Sequence, residues 1–253
     1  MDLLGKNEVI EEQNGFRAIC CSICIATYRR PLLLEKLLVS LENQSLPDWV
    51  ELEIIIVDND PNKTAKPIIQ KFKESQRICF RYFTQNVKNI SLTRNLSVEK
   101  ASGDYILFID DDEVASEKWV YYLLKTICQF NVDGAIGPVF PEFNPMTPKW
   151  MKRRELFYLP VAGTGQKAMM YYTSNCIFRA NVLKEIEAPF DPRYGITGGE
   201  DTHLFDRLEQ QGARFVYCKE ALVTEYLPPD RTSVSYLFKR ALKGGNAHTR
   251  RII

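Results

Sequence analysis

Three consecutive carboxylates, Asp110-Asp111-Asp112, close the apolar run Tyr105 to Ile109. On an extended backbone side chains alternate with period two, so Asp110 and Asp112 would face one side and reach one cation. Adjacent like charges repel, a divalent ion relieves that repulsion, and oxygen ligands favour Mg²⁺ or Mn²⁺ over zinc. An acidic turn, or an N-cap run with Asp112-Glu113 leading into Val120, Leu123, Leu124 and Ile127, explains the same spacing equally well. A second group, Gly198-Gly199-Glu200-Asp201, precedes Leu204, Phe205 and Leu208 at helical spacing. Glycines admit positive φ and close approach of backbone to a ligand, and a helix N-terminus favours carboxylates there, which suits a general base. Simple helix capping is the competing reading and, for this group alone, the stronger one. No Gly-x-Ser-x-Gly or Walker-type loop is present, and no further carboxylate pair suggests two-carboxylate hydrolysis.

These residues need elements to hold them, and the first half alternates β-rich runs with helical patterns, the signature of a parallel α/β sheet. Strands are expected at Ile19 to Ala26, Leu52 to Val57, Ile78 to Phe83 and Tyr105 to Ile109. Helical spacing joins Leu33, Leu34, Leu37, Leu38 and Leu41 behind Pro31, then Ile68, Ile69 and Phe72, then Ser91 to Lys100. Thr27-Tyr28, Asp58 to Asp60 and Asp110 to Asp112 thus end three strands at one edge, where open α/β sheets bind ligands. The second half is less regular, with strands expected at Gly134 to Val139, Met169 to Phe178 and Arg214 to Tyr217. Pro141 to Gly165 reads as a lid-like segment, with Trp150 and Tyr158 placed to cover an acceptor or simply to pack a loop. Leu237 to Ile253 mixes basic and apolar residues and reads as a helix broken at Gly244-Gly245.

Composition narrows the class. The 253 residues are 45% hydrophobic and 26% charged, enough for a sizeable core and unlike a disordered chain. With 33 Lys and Arg against 32 Asp and Glu, the net charge of +1 gives no global reason to bind nucleic acid, so an anionic ligand needs a local site. Seven cysteines cannot pair completely and point to a reducing cytoplasm. Cys20, Cys21 and Cys24 interrupt an apolar strand without a second Cys/His pair, so they read as core residues rather than zinc ligands. Met1 to Gln13 is acidic and polar, so no secretory leader is expected there, and no apolar stretch approaches the ~20 residues of a membrane-spanning helix. His203 and His248 lack metal-ligand spacing and read as structural and solvated, respectively.

Taken together the motifs resemble family 2 glycosyltransferases of the GT-A fold, from about Ile19 to Gly245. Ser22 to Pro31 is similar to that family's first strand and nucleotide loop, with Ala26 where a proline is usual. Glu53 to Asp60 resembles the second strand and its base-binding aspartate. Asn86 to Asn95 resembles the Gly-Ile-Ser-x-Ala-Arg-Asn segment, with Asn89 for the glycine, a mild change because Asn tolerates the left-handed region. Phe108 to Glu113 resembles the DxD metal motif and Gly198 to Leu204 the GGEDxxL motif. Thr173 to Cys176 resembles the acceptor-side strand. One departure is Glu225, in Val223-Thr224-Glu225-Tyr226, where many relatives carry a metal-binding histidine.

The resemblance implies a Rossmann-like, mostly parallel twisted sheet flanked by helices, with a smaller mixed acceptor-side region. It divides the chain into an extension at 1–17, a catalytic domain at 18–245 (nucleotide half 18–113, acceptor half 114–245) and a tail at 246–253. It implies inverting transfer from a nucleotide-diphosphate sugar, UDP favoured, to a hydroxyl of a glycan or lipid-linked glycan in polysaccharide biosynthesis. The setting it implies is cytoplasmic, compatible with peripheral association at the membrane's inner face. Asp201 would be the base with Glu200 beside it. Asp112, Asp110 and Glu225 would hold Mg²⁺ or Mn²⁺, with Asp110 and Asp111 shared with the ribose. Thr27, Tyr28, Arg30, Asp58, Asp60 and Arg94 would hold the nucleotide, Tyr28 by stacking and Asp58 by accepting a base N–H. Arg231 and Arg240 would pair with phosphates or make ordinary surface ion pairs. A sugar nucleotidyltransferase would want a Gly-rich loop where Thr27-Tyr28-Arg29-Arg30 stands, and a non-catalytic sugar-binding relative would be expected to lose Asp112 or Asp201.

Overall fold

A computed structural model describes residues 11–12, 15–16, 18–73, 75, 77–152, 157, 161–168 and 170–242. Beyond a two-residue ladder of β1 (Glu11–Glu12) with β2 (Gly15–Phe16), the chain builds one seven-stranded sheet. Its parallel block is β3 (Ile19–Thr27), β4 (Val50–Asp58), β5 (Cys79–Thr84) and β6 (Tyr105–Ile109). A short β7 (Glu113–Ala115) follows at once, so no helix starts at the acidic run. Beyond β6 the sheet continues through β10 (Asn175–Arg179), which runs antiparallel to β6 and to β8 (Gly134–Ile136), and β11 (Phe215–Tyr217) ends it parallel to β8. A three-stranded sheet sets β7 and β9 (Val139–Phe143) on either side of β12 (Val223–Leu227). The run expected as one strand, Gly134 to Val139, is therefore split between two sheets. At the break Pro138 has no N–H for the ladder, and a Cβ on Gly137 would lie 2.4 Å from the Ala221 carbonyl oxygen. Pro141, expected to open a lid, lies inside edge strand β9, where a missing donor is tolerated.

Period two places the core on both faces of the parallel block. Ile23, Ile25, Ile54, Ile56, Leu107 and Ile109 join one cluster, with α1 (Pro31–Glu42), α2 (Lys66–Phe72) and α4 (Trp119–Gln129). Cys24, Ile55, Val57, Ile106 and Phe108 join the other, with α3 (Ile90–Lys100), α5 (Ala180–Lys184) and α6 (Glu200–Gln210). Cys21 and Cys24 are buried on opposite faces and share no ion; burial pushes the Cys24 thiol up to about 12. Pro31 starts α1, and Leu34, Leu37, Leu38 and Leu41 bury its apolar stripe.

One polar group sits within this interior. Glu53 accepts from Ser22 Oγ at 2.5 Å, Ser102 N at 2.6 Å, Ser102 Oγ at 2.8 Å and Arg81 Nη1 at 2.8 Å, tying β3, β4 and β5 to the turn before β6. A Cβ on Gly103 would lie 2.7 Å from both the Cys20 carbonyl and Ser22 Oγ, so that turn needs glycine. Burial alone would raise the Glu53 pKa, but these hydrogen bonds outweigh it and hold the carboxyl below its usual range. A depressed carboxylate pKa contributes stability at neutral pH that disappears as pH falls through the folded value. Glu53→Ala should cost about 1–3 kcal/mol in urea unfolding at neutral pH by stranding its donors. The gap between wild type and Glu53→Gln should narrow in acid; a gap unchanged by pH would mean that Glu53 is not held ionised.

Candidate active site

The carboxyl ends of β3, β4 and β6 meet at one edge, and the first two shape a loop. Asp58 Oδ1 accepts the Asp60 amide at 2.9 Å, and Oδ2 accepts Tyr82 Oη at 2.9 Å and the Ala65 amide at 3.2 Å. Asp60 accepts Thr64 Oγ1 at 2.9 Å and Arg29 Nε at 3.1 Å; burial opposes its ionisation, and these bonds with the Asn62 amide outweigh it and lower its pKa. Arg29 adopts a positive φ of 57°, with its guanidinium 5.1 Å from the Tyr28 ring centroid, and Lys88 Nζ lies 4.8 Å from the same centroid. Tyr28 thus stands half-buried at the mouth of the edge between two cations.

The acidic run does not stay extended. Glu113 N donates to the Asp110 carbonyl at 3.2 Å and Glu113 Oε2 accepts the Asp110 amide at 2.8 Å, closing a turn at Asp111-Asp112. The period-two expectation therefore fails, and the three aspartates find different partners. Asp111 Oδ2 accepts Thr27 Oγ1 at 2.8 Å while Oδ1 accepts Arg30 Nη1 at 2.8 Å. Asp112 Oδ2 accepts Arg30 Nη1 and Arg231 Nη1, both at 2.9 Å. Burial pushes Asp111 up to about 6 against the pull of Arg30.

Asp110 turns toward α3, where Arg94 Nη2 donates to its Oδ1 at 3.1 Å, and Arg94 Nη1 donates to Glu200 Oε1 at 2.5 Å. Arg94 is only 7% exposed and is packed 5.7 Å from the Phe190 ring centroid, so one buried cation joins the two acidic motifs. The position of α3 follows from its cap. Asn89 Oδ1 accepts the Leu92 amide at 3.1 Å, its Nδ2 donates to the Pro192 carbonyl at 2.9 Å, and its own N donates to Asn59 Oδ1 at 3.0 Å. Asn89 is extended, φ −161°, so left-handed tolerance is not what it supplies; the side chain is, and a Cβ on Gly195 would strike it at 1.7 Å.

Gly198 and Gly199 both have positive φ, 83° and 95°, and start α6 directly before Glu200 and Asp201. Among the described residues, hydrogen bonds to Asp201 come from Thr202 alone, its amide at 2.7 Å, whereas Glu200 is pinned by Arg94. The helix terminus was expected to keep these carboxylates readily ionised, but burial dominates and raises both pKa values, with Arg94 opposing it.

β12 brings Glu225 opposite Glu113 of β7, and Glu225 Oε1 accepts Arg231 Nη1 at 2.9 Å, so Arg231 bridges Glu225 and Asp112. The donors present suit a divalent cation in kind, being carboxylate oxygens. Burial, then mutual repulsion, raises the pKa values of Asp112, Glu113 and Glu225, the state of carboxylates short of positive charge. Among the described residues no three His, Cys, Asp or Glu side chains converge enough to hold an ion, since Arg30 and Arg231 stand against Asp112. The set fits the ion in chemistry and charge, with two guanidiniums between its members.

Other candidates lie apart. His203 stacks on Tyr194 at 4.8 Å, Trp150 is half exposed, and Tyr158 and His248 lie outside the described residues, whereas the Arg240 guanidinium, 6.0 Å from the Phe157 ring centroid, is near enough to Glu225 to pull its pKa down against burial. Sequence reasoning missed Glu113 and Asn59 as positioning residues; their place inside the acidic run and the strand-end loop was the available signal. A cavity of about 220 Å³ lined by Leu41, Gln44, Val50 and Arg77 lies under the N-terminal ends of β4 and β5, away from this chemistry.

Comparison with known proteins places the family and the fold. The family described as "Glycosyl transferase family 2" matches residues 22–187. The succinoglycan biosynthesis protein ExoM of Rhizobium meliloti is 32% identical over 229 residues, 90% of this chain and 74% of that protein. The GalNAc(5)-diNAcBac-PP-undecaprenol beta-1,3-glucosyltransferase of Campylobacter jejuni is 34% identical over 94 residues, 36% of this chain and 29% of that one. Among solved structures, S. aureus TarS superposes with a TM-score of 0.62 at 16% identity, over 83% of this chain and 37% of TarS. TarS 1–349 in complex with UDP gives 0.61 at 17% identity, over 84% of this chain and 62% of that one. This chain thus spans less than two thirds of either TarS chain, and the likeness establishes the shared GT-A architecture.

The Arg94 bridge makes a prediction that needs no substrate. Arg94→Leu leaves the buried Glu200 and the partly exposed Asp110 without their cation and should cost about 1–3 kcal/mol in urea unfolding at neutral pH. Burial raises the Glu200 pKa, so its ionised form costs stability, and protonation of Glu200 on lowering pH should relieve the variant and shrink its deficit. A deficit that stays constant or grows toward acid would show that Arg94 does not neutralise these groups.

Proposed function

Because this chain belongs to glycosyl transferase family 2, whose members are glycosyltransferases, we propose that it transfers a sugar with inversion from a nucleotide diphosphate, UDP favoured, to a hydroxyl of a glycan or lipid-linked glycan. The observation that carries the reading is Arg94 joining the Asp110 end of β6 to the Glu200-Asp201 start of α6. Donor chemistry and acceptor chemistry are thereby given adjacent places at one sheet edge. That TarS has been solved with UDP and with UDP-GlcNAc supports the choice of nucleotide.

In this reading Tyr28 stacks on the base, and Thr27, Arg30 and Asp111 border the ribose. Asp58, with both oxygens already taken, and Asp60 act by fixing the loop from 58 to 65 against the nucleotide. Asp110, Asp112 and, once Arg231 is drawn away, Glu225 would hold a divalent cation, which supplies charge stabilisation to the departing diphosphate. Arg231 and Arg30, released from Asp112, turn their charge to the phosphates. The acceptor oxygen forms its bond to the anomeric carbon as the bond to the β-phosphate oxygen breaks and that oxygen keeps the electron pair. The acceptor's proton passes to Asp201, whose side chain makes no ion-pair contact among the described residues, while Glu200 stays fixed by Arg94.

The direct test is nucleoside diphosphate release from a panel of UDP, GDP and dTDP sugars, with and without Mg²⁺ or Mn²⁺; no release with any sugar nucleotide would overturn the reading. Asp201→Asn should keep nucleotide affinity and lose transfer by roughly 10²–10⁴-fold, with Glu200→Gln milder. The reverse order would exchange the two roles. Because burial raises both carboxyls, the acid limb of the rate profile should lie above the ordinary carboxylate range of about 4 and belong to the pair. Asp112→Asn should weaken binding of the ion itself, followed by Mn²⁺ electron paramagnetic resonance without any turnover; unchanged Mn²⁺ binding removes Asp112 from the ligand set.

A further inference from the structure

A short 3-10 turn, Pro229–Arg231, leads from the site into α7, residues 234–242. One side of this helix is anchored, since Leu237 packs on the small cluster of Met151, Phe157 and Leu227. Another side has no partner among the described residues. Val234, Phe238 and Leu242, at i, i+4 and i+8, are 66%, 65% and 57% exposed and form one stripe. Trp150, 50% exposed, precedes Met151, which lies in the cluster that anchors this helix. Large apolar side chains at helical spacing in water forfeit the stabilisation of burial, and a continuous set of them marks a surface that something else covers.

Charge selects the occupant. From Arg231 onward the sequence holds Arg231, Lys239, Arg240, Lys243, Arg250 and Arg251 and no carboxylate, although the whole chain carries only +1. A second copy placed symmetrically on this stripe would set like charges against each other. We propose that α7 and Trp150 dock on the anionic face of a lipid bilayer, with the apolar stripe in the interface and the basic residues among the headgroups. Arg231 borders both the helix and Asp112, so docking would hold the site at the bilayer surface, where a lipid-linked acceptor is presented. The inference goes beyond the proposed reaction and stands on exposure and charge, so either can fail without the other.

The test is co-sedimentation of the full chain with phosphatidylcholine vesicles and with vesicles containing about one third phosphatidylglycerol. Binding is expected to the anionic vesicles only, to weaken with salt, and to shift the tryptophan emission to the blue in the wild type but not in Trp150→Phe. Phe238→Glu with Leu242→Glu should weaken binding at least tenfold while leaving nucleotide affinity unchanged, because each removes an apolar anchor and neither touches the site. Equal binding to both vesicle types, no binding to either, or undiminished binding of the double variant would each overturn the proposal. A dimer by light scattering that the double variant converts to monomer would overturn it in favour of an interface between copies of the chain.

Discussion

A single guanidinium, that of Arg94, is the contact on which the site depends. It is buried between Asp110, 16 residues away, and Glu200, 106 residues away. Neither carboxylate is placed by its own element alone: one ends β6, the other begins a helix entered through two left-handed glycines. Without a cation between them these groups would repel, and the buried Glu200 would lose its counter-charge. Arg94 is in turn held by α3, whose Asn89 cap is tied to Asn59 beyond β4 and to Pro192 before α6. A short relay of amide hydrogen bonds thus connects the loop after β4 to the segment before α6.

The same edge carries more acid than the arginines around it neutralise. Asp112, Glu113, Glu200, Asp201 and Glu225 all have pKa values raised chiefly by burial, and Asp111 is pushed up to about 6. Such an arrangement works against stability and makes this edge the candidate site. It also divides labour. Among the described residues Asp201 makes no ion-pair contact, while Glu200 is locked in place by Arg94. Arg30 and Arg231 both rest on Asp112 and offset part of the charge of the acidic run.

Much of this could be read from the sequence, for identifiable reasons. The parallel strands are legible because both of their faces are buried, which leaves unbroken apolar runs such as Ile54 to Val57 ending in acid. The helix α1 is legible because its leucines keep one stripe. The turn at Asp111-Asp112 was not, since Glu113 closes it through a side-chain contact that period-two reasoning does not contain. Nor was the split at Gly137-Pro138, which depends on how closely Ala221 approaches. Glu53 and Ser22 hide within apolar strands, and only their mutual contact explains them. Glu225 was read as a replacement metal ligand from its position; its pairing with Arg231 needed the fold of the last turn.

The central claim, that Arg94 makes one site of two motifs, is tested most directly by a double-mutant cycle of Asp110→Asn and Glu200→Gln, read as nucleoside diphosphate affinity by calorimetry. If Arg94 links them, the two changes should be non-additive by about 0.5–3 kcal/mol, and the coupling should vanish in an Arg94→Lys background. Additivity within about 0.5 kcal/mol in the wild-type background would contradict the account.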